Sequence, residues 1–221
     1  MIFIKKNTEP KSLTKWKKRN PGKKYAELPS INRRKLRNAL LEEQGFVCCF
    51  CGTGLGKIEG EKIVQSRVVK KTEHNVRNAH IIPQSKDRLL TLDYRNLCAS
   101  CNSSLHEAEW HCDIAQCDEC LPISPLQPDC LSFFSFSVDG TIVPNPGKSP
   151  ELQAQADETI KILNLKSNIL ISLRSSMLKI AEECLRSNPE YLSNLSQKDA
   201  DGHFAPFYFV PLSYFQFYAI N

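Results

Sequence analysis

The chain carries Asn78-Ala79-His80-Ile81-Ile82-Pro83-Gln84-Ser85 near its middle, followed by Leu92-Asp93-Tyr94-Arg95-Asn96-Leu97. A histidine directly before an apolar pair and a proline predicts that His80 lies on a strand anchored in the core. Working outward from these stretches, cysteines lie on both sides, where thiolates from distant segments can meet around one metal ion. These cysteines are Cys48, Cys51, Cys98, Cys101 and Cys112.

The spacing of the cysteines favours zinc over disulfides. Cys48 and Cys51 form a Cys-x-x-Cys pair, which supplies two thiolates from one tight turn, and Cys98 with Cys101 is the obvious second pair. No signal peptide or membrane span precedes them, so we expect a cytoplasmic protein with reduced thiols. Cys117 and Cys120 form a third pair, which leaves open a second small zinc site with His106 or His111.

Taken together, the histidine, the later Asn-Leu and the flanking cysteines resemble the HNH endonuclease family. The resemblance implies an α+β fold whose core is a ββα-metal unit with a zinc knuckle. In that family, the third zinc ligand usually follows five residues after the asparagine, at Cys101 here. The resemblance favours Cys112 as the fourth ligand and leaves Cys98 spare. A set that ends with Cys98 and Cys101 remains the alternative.

The same resemblance implies roles for the residues of the reaction centre. His80 would be the general base that activates water, with His74 as a rival, and Asn96 would brace the loop that carries His80. Asp113 would be a ligand for a catalytic Mg²⁺ or Mn²⁺, or Asn102 in the other register. Many HNH sequences carry an acidic residue directly before the base, where this chain has Ala79.

Further stretches resemble the HNH effector subunits of Septu and Septu-like retron anti-phage defence systems. They are Ile4-Lys5-Lys6 with Glu9-Pro10, Leu121 to Leu126, and Leu163-Asn164-Leu165. This resemblance implies a nuclease that acts on nucleic acid, with DNA favoured over RNA, beside an ATPase of the ABC/SMC type. The alternative is a zinc-knuckle adaptor that binds nucleic acid or the ATPase without cutting, which Ala79 favours.

Charge is concentrated at the N-terminus. Residues 1–40 contain thirteen Lys and Arg but only two acidic residues, whereas the whole chain has a net charge of +5. A basic stretch of this kind suits phosphate contacts or a protein partner. The candidate nucleic-acid-binding residues are Lys17, Lys18, Arg19, Lys23 and Lys24.

These features predict three segments: a basic arm over 1–29, a zinc-knuckle HNH core over 30–148, and a helical, aromatic-rich region over 149–221. The arm is expected to be extended or loosely ordered because prolines interrupt it. Hydrophobic periodicity and turn residues predict the remaining elements. These are a helix over 32–44, strands over 63–69, 78–82 and 131–138, a turn at Asp139-Gly140, a helix from Asn96, a helix from Ser149-Pro150 that breaks near Asn164, and an irregular or late-strand tail over 204–220.

Overall fold

The computed structural model describes residues 1–64, 67–102 and 107–219. Within these ranges the fold is a mixed α+β arrangement of seven helices and three small antiparallel sheets. The helices are α1 (Lys11–Arg19), α2 (Ser30–Gln44), α3 (Asp113–Gln116), α4 (Pro150–Ile162), α5 (Asn168–Ser187), α6 (Tyr191–Leu195) and α7 (Phe209–Ala219). The strands are β1 (Lys57–Val64), β2 (Arg67–His74), β3 (Val76–His80), β4 (Leu97–Cys101), β5 (Phe134–Phe136) and β6 (Ile142–Pro144).

The central sheet pairs β3 with β4, with His80 opposite Leu97 and Val76 opposite Cys101. Helix α2 is held against this sheet by the buried side chain of Gln44. Its amide nitrogen donates to the Ala99 carbonyl at 2.9 Å, and its amide oxygen accepts from the Ala99 N–H at 2.6 Å. A buried amide must satisfy both its N–H and its carbonyl oxygen, so this pair of hydrogen bonds fixes where α2 meets β4.

Several predicted elements are confirmed. The helix expected over 32–44 is α2, and it ends at Gly45 in the left-handed conformation, as expected for a C-terminal glycine. Strands β5 and β6 flank the predicted turn at Asp139-Gly140. The Ser149 hydroxyl caps α4, and the break near Asn164 occurs where that residue takes a positive φ.

Other expectations differ from the structure. The helix predicted from Asn96 is wrong, since Asn96 ends a short 3-10 turn and the next five residues form β4, all buried against β3. The aromatic tail contains α7 instead of a strand or irregular structure. The strand predicted over 63–69 covers the end of β1 and the start of β2, and residues 65 and 66 lie outside the described residues.

The N-terminal segment is more ordered than expected. Residues 11–19 form α1, and Met1, Ile2 and Ile4 are buried. The Ile2 N–H donates to the Cys49 carbonyl at 3.2 Å and the Ile4 N–H to the Pro125 carbonyl at 2.7 Å. Apolar residues at these positions therefore tie the start of the chain to the cysteine-bearing core. The division into three segments stays a prediction.

One cluster of buried apolar side chains runs from the N-terminal residues through β3 and β4 to Phe209 and Val210. In the described part of the chain, the helices are too short or too polar for any of them to cross a membrane.

We expect Gly140→Ala to destabilise the fold much more than Gly202→Ala. Both glycines have φ above +80°, so both alanines strain the backbone. Only at Gly140 would the new Cβ lie 2.3 Å from the Ile171 carbonyl oxygen in α5, whereas nothing lies within 4 Å at Gly202. Chemical unfolding should show at least about 2 kcal/mol more lost for Gly140→Ala. Equal losses would contradict this packing of α5 on the β5–β6 turn.

Candidate metal centre and adjoining cavity

Four buried cysteines converge in the interior: Cys48, Cys51, Cys101 and Cys112. Their sulfur atoms all lie within 4.8 Å of one another, and the Cys48–Cys112 and Cys51–Cys101 sulfurs are each 3.8 Å apart. A disulfide would require about 2.05 Å. Sulfurs about 2.3 Å from a tetrahedral Zn²⁺ lie about 3.8 Å from one another. The four thiols can therefore hold a metal ion such as zinc.

Local backbone geometry brings each sulfur to this point. After α2, a tight turn presents Cys48 and Cys51, closed by the Gly52 N–H on the Cys48 carbonyl at 3.0 Å. Cys101 is the last residue of β4. Cys112 precedes α3 with a positive φ of 59°, and its N–H donates to the Leu163 carbonyl at 2.9 Å, just beyond α4. Three separate parts of the chain therefore meet at one centre.

Hydrogen bonds around the sulfurs favour thiolates. The Cys101 N–H lies 3.4 Å from the Cys48 sulfur, and the Thr53 N–H lies 3.5 Å from the Cys51 sulfur. Burial raises the pKa of the Cys51 thiol, but its bonds with Cys101 and Cys112 outweigh burial and lower that pKa to about 7. In contrast, burial and the neighbouring cysteines raise the pKa of Cys112. Negative charge on one sulfur therefore opposes deprotonation of its neighbours, and a divalent cation would allow all four cysteines to be thiolates.

Cys98 is outside this cluster, so the structure brings together the favoured set of cysteines and not the alternative one. Cys98 and Cys101 are three residues apart on β4, and side chains at odd spacing point to opposite faces of a strand. Cys98 lies instead near Cys49, whose pKa is raised by burial and by bonds to Cys48 and Cys98.

The third pair does not form a cluster with histidine in the described structure. Cys117 and Cys120 are both exposed, and the four buried cysteines are the only group of three or more potential ligands found among the described residues. His106 lies outside the described residues. The second zinc site therefore stays a prediction.

His80 ends β3 and forms part of the wall of an open cavity of about 570 Å³. Its Nε2 lies 3.0 Å from the Thr91 carbonyl oxygen, so in the neutral ring Nε2 carries the proton and Nδ1 is the acceptor. Burial lowers the pKa of His80, opposed by the Thr91 bond and by Asp113. The imidazole is consequently neutral at pH 7, the form that can accept a proton. The side chain of the rival, His74, falls outside the described part of the chain.

Asn96 joins the two ends of the loop between β3 and β4. Its Oδ1 accepts from the Ile82 N–H at 2.8 Å, and its Nδ2 donates to the Ile82 carbonyl at 2.9 Å and the Leu90 carbonyl at 3.3 Å. The Ile81 N–H also donates to the Asn96 carbonyl. These bonds hold the chain directly after His80, so the asparagine occupies the position that a bracing role requires.

Asp113 is the first residue of α3 and lies in the same cavity as His80. Its Oδ2 is 2.9 Å from Nε of Arg77 on β3, whose side chain is half exposed. Burial raises the pKa of Asp113, although Arg77 and His80 oppose the shift. The Asn102 N–H donates to the Asn75 carbonyl at 3.0 Å, and Asn102 is not among the residues that line the cavity. Of these two candidates, Asp113 is the one beside His80.

Ala79 points away from this cavity. Alternation along β3 places it on the opposite face from His80, where it is completely buried and pairs with Cys98 in the sheet register. An acidic side chain at position 79 would point into the apolar core on the face of β3 opposite His80. Any catalytic metal must therefore be held by groups other than residue 79.

Sequence reasoning missed several residues of the cavity. Asn78 precedes His80 by two positions and shares its strand face, a spacing that could have identified it. Tyr25 could not have been found, because only tertiary packing brings its ring edge-on to His80 at 4.8 Å. Arg77, Gln84, Trp110 and Asp118 complete the list of missed polar and aromatic residues.

The basic residues predicted to bind nucleic acid do not line this cavity. Lys17 is 2.6 Å from Glu9 and also contacts the Leu92 carbonyl, and Lys23 pairs with Glu27. The remaining three, Lys18, Arg19 and Lys24, are exposed. Their role in nucleic-acid binding stays a prediction.

Comparison with models of known protein families found no match. Comparison with curated proteins found no match either.

We expect one tightly bound zinc per chain, held by Cys48, Cys51, Cys101 and Cys112. Cys112→Ser should lose the zinc and unfold the core, because a structural zinc contributes directly to folding. Cys98→Ser is the matched control, also a buried cysteine from the same region, and should keep its zinc. Elemental analysis and thermal melting measure both effects. Zinc retained by Cys112→Ser and lost by Cys98→Ser would contradict this ligand set.

Proposed function

We propose that the chain is a metal-dependent HNH endonuclease that hydrolyses phosphodiester bonds as the effector of an anti-phage defence complex. The observation that carries the proposal is His80, held neutral in an open cavity beside Asp113 and Arg77. Asn96 braces the loop directly after it. His80 and Arg77 lie on β3, Asn96 directly precedes β4, and Asp113 begins α3. The three elements follow one another in the order of a ββα unit, and Cys101 and Cys112 lie at the end of β4 and the start of α3.

The proposed chemistry begins with a water molecule beside His80. Nδ1 of the neutral ring accepts a proton from this water as it attacks phosphorus, while the Thr91 carbonyl holds the ring through Nε2. Arg77 places a positive charge at the same cavity, where it favours an anionic phosphate. Asp113 would hold a Mg²⁺ or Mn²⁺ ion, which would neutralise charge on the phosphate and on the leaving oxygen as the bond between that oxygen and phosphorus breaks.

The cavity offers hard oxygen ligands for such an ion, but few of them. Asp113 is engaged by Arg77, and Asp118 accepts from the Ser85 hydroxyl at 2.7 Å. Magnesium commonly uses one or two carboxylates together with water and substrate phosphate. Asp113, with Asp118 nearby, therefore fits an ion that binds weakly until nucleic acid is present.

The partner rests on the resemblance to Septu and retron effectors. One of the stretches that carry this resemblance is Leu121 to Leu126. Within it Ile123 is buried, and its N–H donates to the Thr159 hydroxyl on α4 at 3.2 Å. We propose an ATPase of the ABC/SMC type as the partner and DNA as the favoured substrate over RNA. Reconstitution with an ATPase of this type, followed by cleavage assays on plasmid DNA and on RNA, tests both assignments.

A second candidate function is a zinc-knuckle adaptor that binds nucleic acid or the ATPase without cutting. Two observations favour it: Ala79 supplies no ligand, and the Asp113 carboxylate is already paired with Arg77. Purified protein, alone and with the ATPase, is incubated with plasmid DNA or RNA in Mg²⁺ or Mn²⁺. Cleavage supports the nuclease, whereas binding without cleavage in every combination supports the adaptor.

His80→Ala should reduce cleavage by roughly 10² to 10⁴-fold, the usual contribution of a positioned acid–base group. Its zinc content should be unchanged and its melting temperature within a few degrees of the parent. Asn96→Ala should reduce cleavage less than His80→Ala does, but it should lower the stability of the fold more. It removes the side chain that pairs with the Ile82 N–H and carbonyl. His203→Ala, a histidine outside the cavity, is the control and should cut normally. Cleavage by His80→Ala at the rate of the parent would contradict the assignment of His80 as the general base.

Cleavage should fall at acid pH and level off near neutrality. The pKa of His80 in the folded protein lies below its ordinary value of 6.5. The neutral base therefore predominates at pH 6.5 and above, and it is lost as the pH falls through the folded pKa. Asp113 raises the pKa of His80, so Asp113→Asn should move the acid limb of the profile to lower pH. A pH–rate profile of residual activity tests this shift. An acid limb that stays in place would contradict the electrostatic contact between the two residues.

A further inference from the structure

A basic groove lies on the first two turns of α2, and none of its lining residues belongs to the five predicted nucleic-acid-binding residues. Its cavity of about 410 Å³ is lined by Ser30, Ile31, Arg33, Arg34 and Arg37. We propose that this groove binds the phosphate backbone of nucleic acid and leads it to the His80 cavity. The inference rests on the proposed function and adds the path by which the substrate reaches the site.

The charges of the groove are placed against the local preference of a helix. The first turn of α2 contains no acidic residue, and Arg33, Arg34, Lys35 and Arg37 follow one another within five positions. Arg33 belongs to the first turn, where a cation faces the positive end of the helix dipole, an unfavourable effect that falls off beyond that turn. Mutual repulsion adds to this cost. A bound polyanion removes both penalties, which gives the arrangement a physical purpose.

Arg34 and Arg37 both line the groove, and they differ in exposure. Arg34 is exposed, and Nε of Arg37 is buried without a hydrogen-bond partner. In the described ranges, neither side chain forms an ion pair with a carboxylate. Arg33 differs, because it donates to the Leu28 and Ala26 carbonyls and so holds the entry to α2. Guanidinium groups suit phosphate because their planar donors can bind two of its oxygens together.

Direct contacts connect the groove with the His80 cavity. The Arg33 guanidinium lies over the Tyr25 ring at 5.7 Å, and that ring meets His80 edge-on at 4.8 Å. Asn78 in the cavity donates to the Tyr25 hydroxyl at 3.0 Å and to the Arg33 carbonyl at 3.3 Å. A phosphate chain lying across Tyr25 would therefore pass from the arginines to His80. This continuity favours nucleic acid over an acidic protein as the occupant.

The test measures binding without cleavage, by anisotropy of a fluorescein-labelled 30-nucleotide DNA strand and of its duplex. The full chain carries His80→Ala throughout, and the buffer contains no added divalent metal. Arg34→Gln/Arg37→Gln should bind at least tenfold more weakly in low salt. The slope of log K against log salt should fall by about 1.4 to 1.8, since each lost phosphate contact contributes about 0.7 to 0.9.

Three variants serve as comparisons, each checked for zinc content and melting temperature. Lys166→Gln/Lys179→Gln removes the same charge from the region of α5 and should bind like the parent. Arg34→Lys/Arg37→Lys keeps the charge and should retain most of the salt slope. Neutralising Lys17, Lys18, Arg19, Lys23 and Lys24 compares the N-terminal stretch with the groove.

The outcomes separate the groove from the nuclease. A groove variant that binds like the α5 control overturns the inference and leaves the nuclease proposal standing. Loss of binding to the ATPase with unchanged DNA affinity overturns it too, and assigns the groove to the protein partner. A salt slope reduced as expected supports the groove even if His80→Ala fails to reduce cleavage. A parent that binds no nucleic acid overturns both proposals.

Discussion

The convergence of four cysteine sulfurs is the constraint on which the rest of the structure depends. Cys48 and Cys51 follow α2, Cys101 ends β4, and Cys112 precedes α3 and contacts the end of α4 through Leu163. A structural zinc contributes about 10 to 16 kcal/mol in small zinc-binding peptides, against a net stability of about 5 to 15 kcal/mol for a domain. The binding free energy of a metal at this centre would thus be comparable to the whole net free energy of unfolding.

The same centre determines which side chains meet in the His80 cavity. β4 pairs with β3, so fixing Cys101 also fixes the register that places His80 at the sheet end. Cys112 is followed at once by Asp113, which therefore faces His80 and Arg77. Asn96 then needs only to hold the intervening loop. Cysteines of the metal centre and residues of the His80 cavity alternate along the chain, so one small sheet brings both sets together.

Much of the site could be predicted from sequence because its residues lie in short, regular patterns. The Cys48 pair and the helix ending at Gly45 are local features, whereas the choice of Cys101 and Cys112 as ligands comes from the resemblance to HNH nucleases. The strand after Asn96 was mistaken for a helix because pairing with β3, a tertiary effect, determines its conformation. Tyr25 and Arg77 were missed for the same reason. The N-terminal prolines predict an extended or loosely ordered arm, whereas residues 11–19 form α1 and Ile2 and Ile4 pack into the core.

X-ray absorption at the zinc edge of the purified protein tests the central claim most directly. The account predicts a first shell of four sulfur atoms at about 2.3 Å, with no nitrogen or oxygen ligand. That result would confirm that one zinc ion joins the turn after α2, the end of β4 and the start of α3. A shell containing nitrogen or oxygen, or no zinc signal from the purified protein, would contradict it.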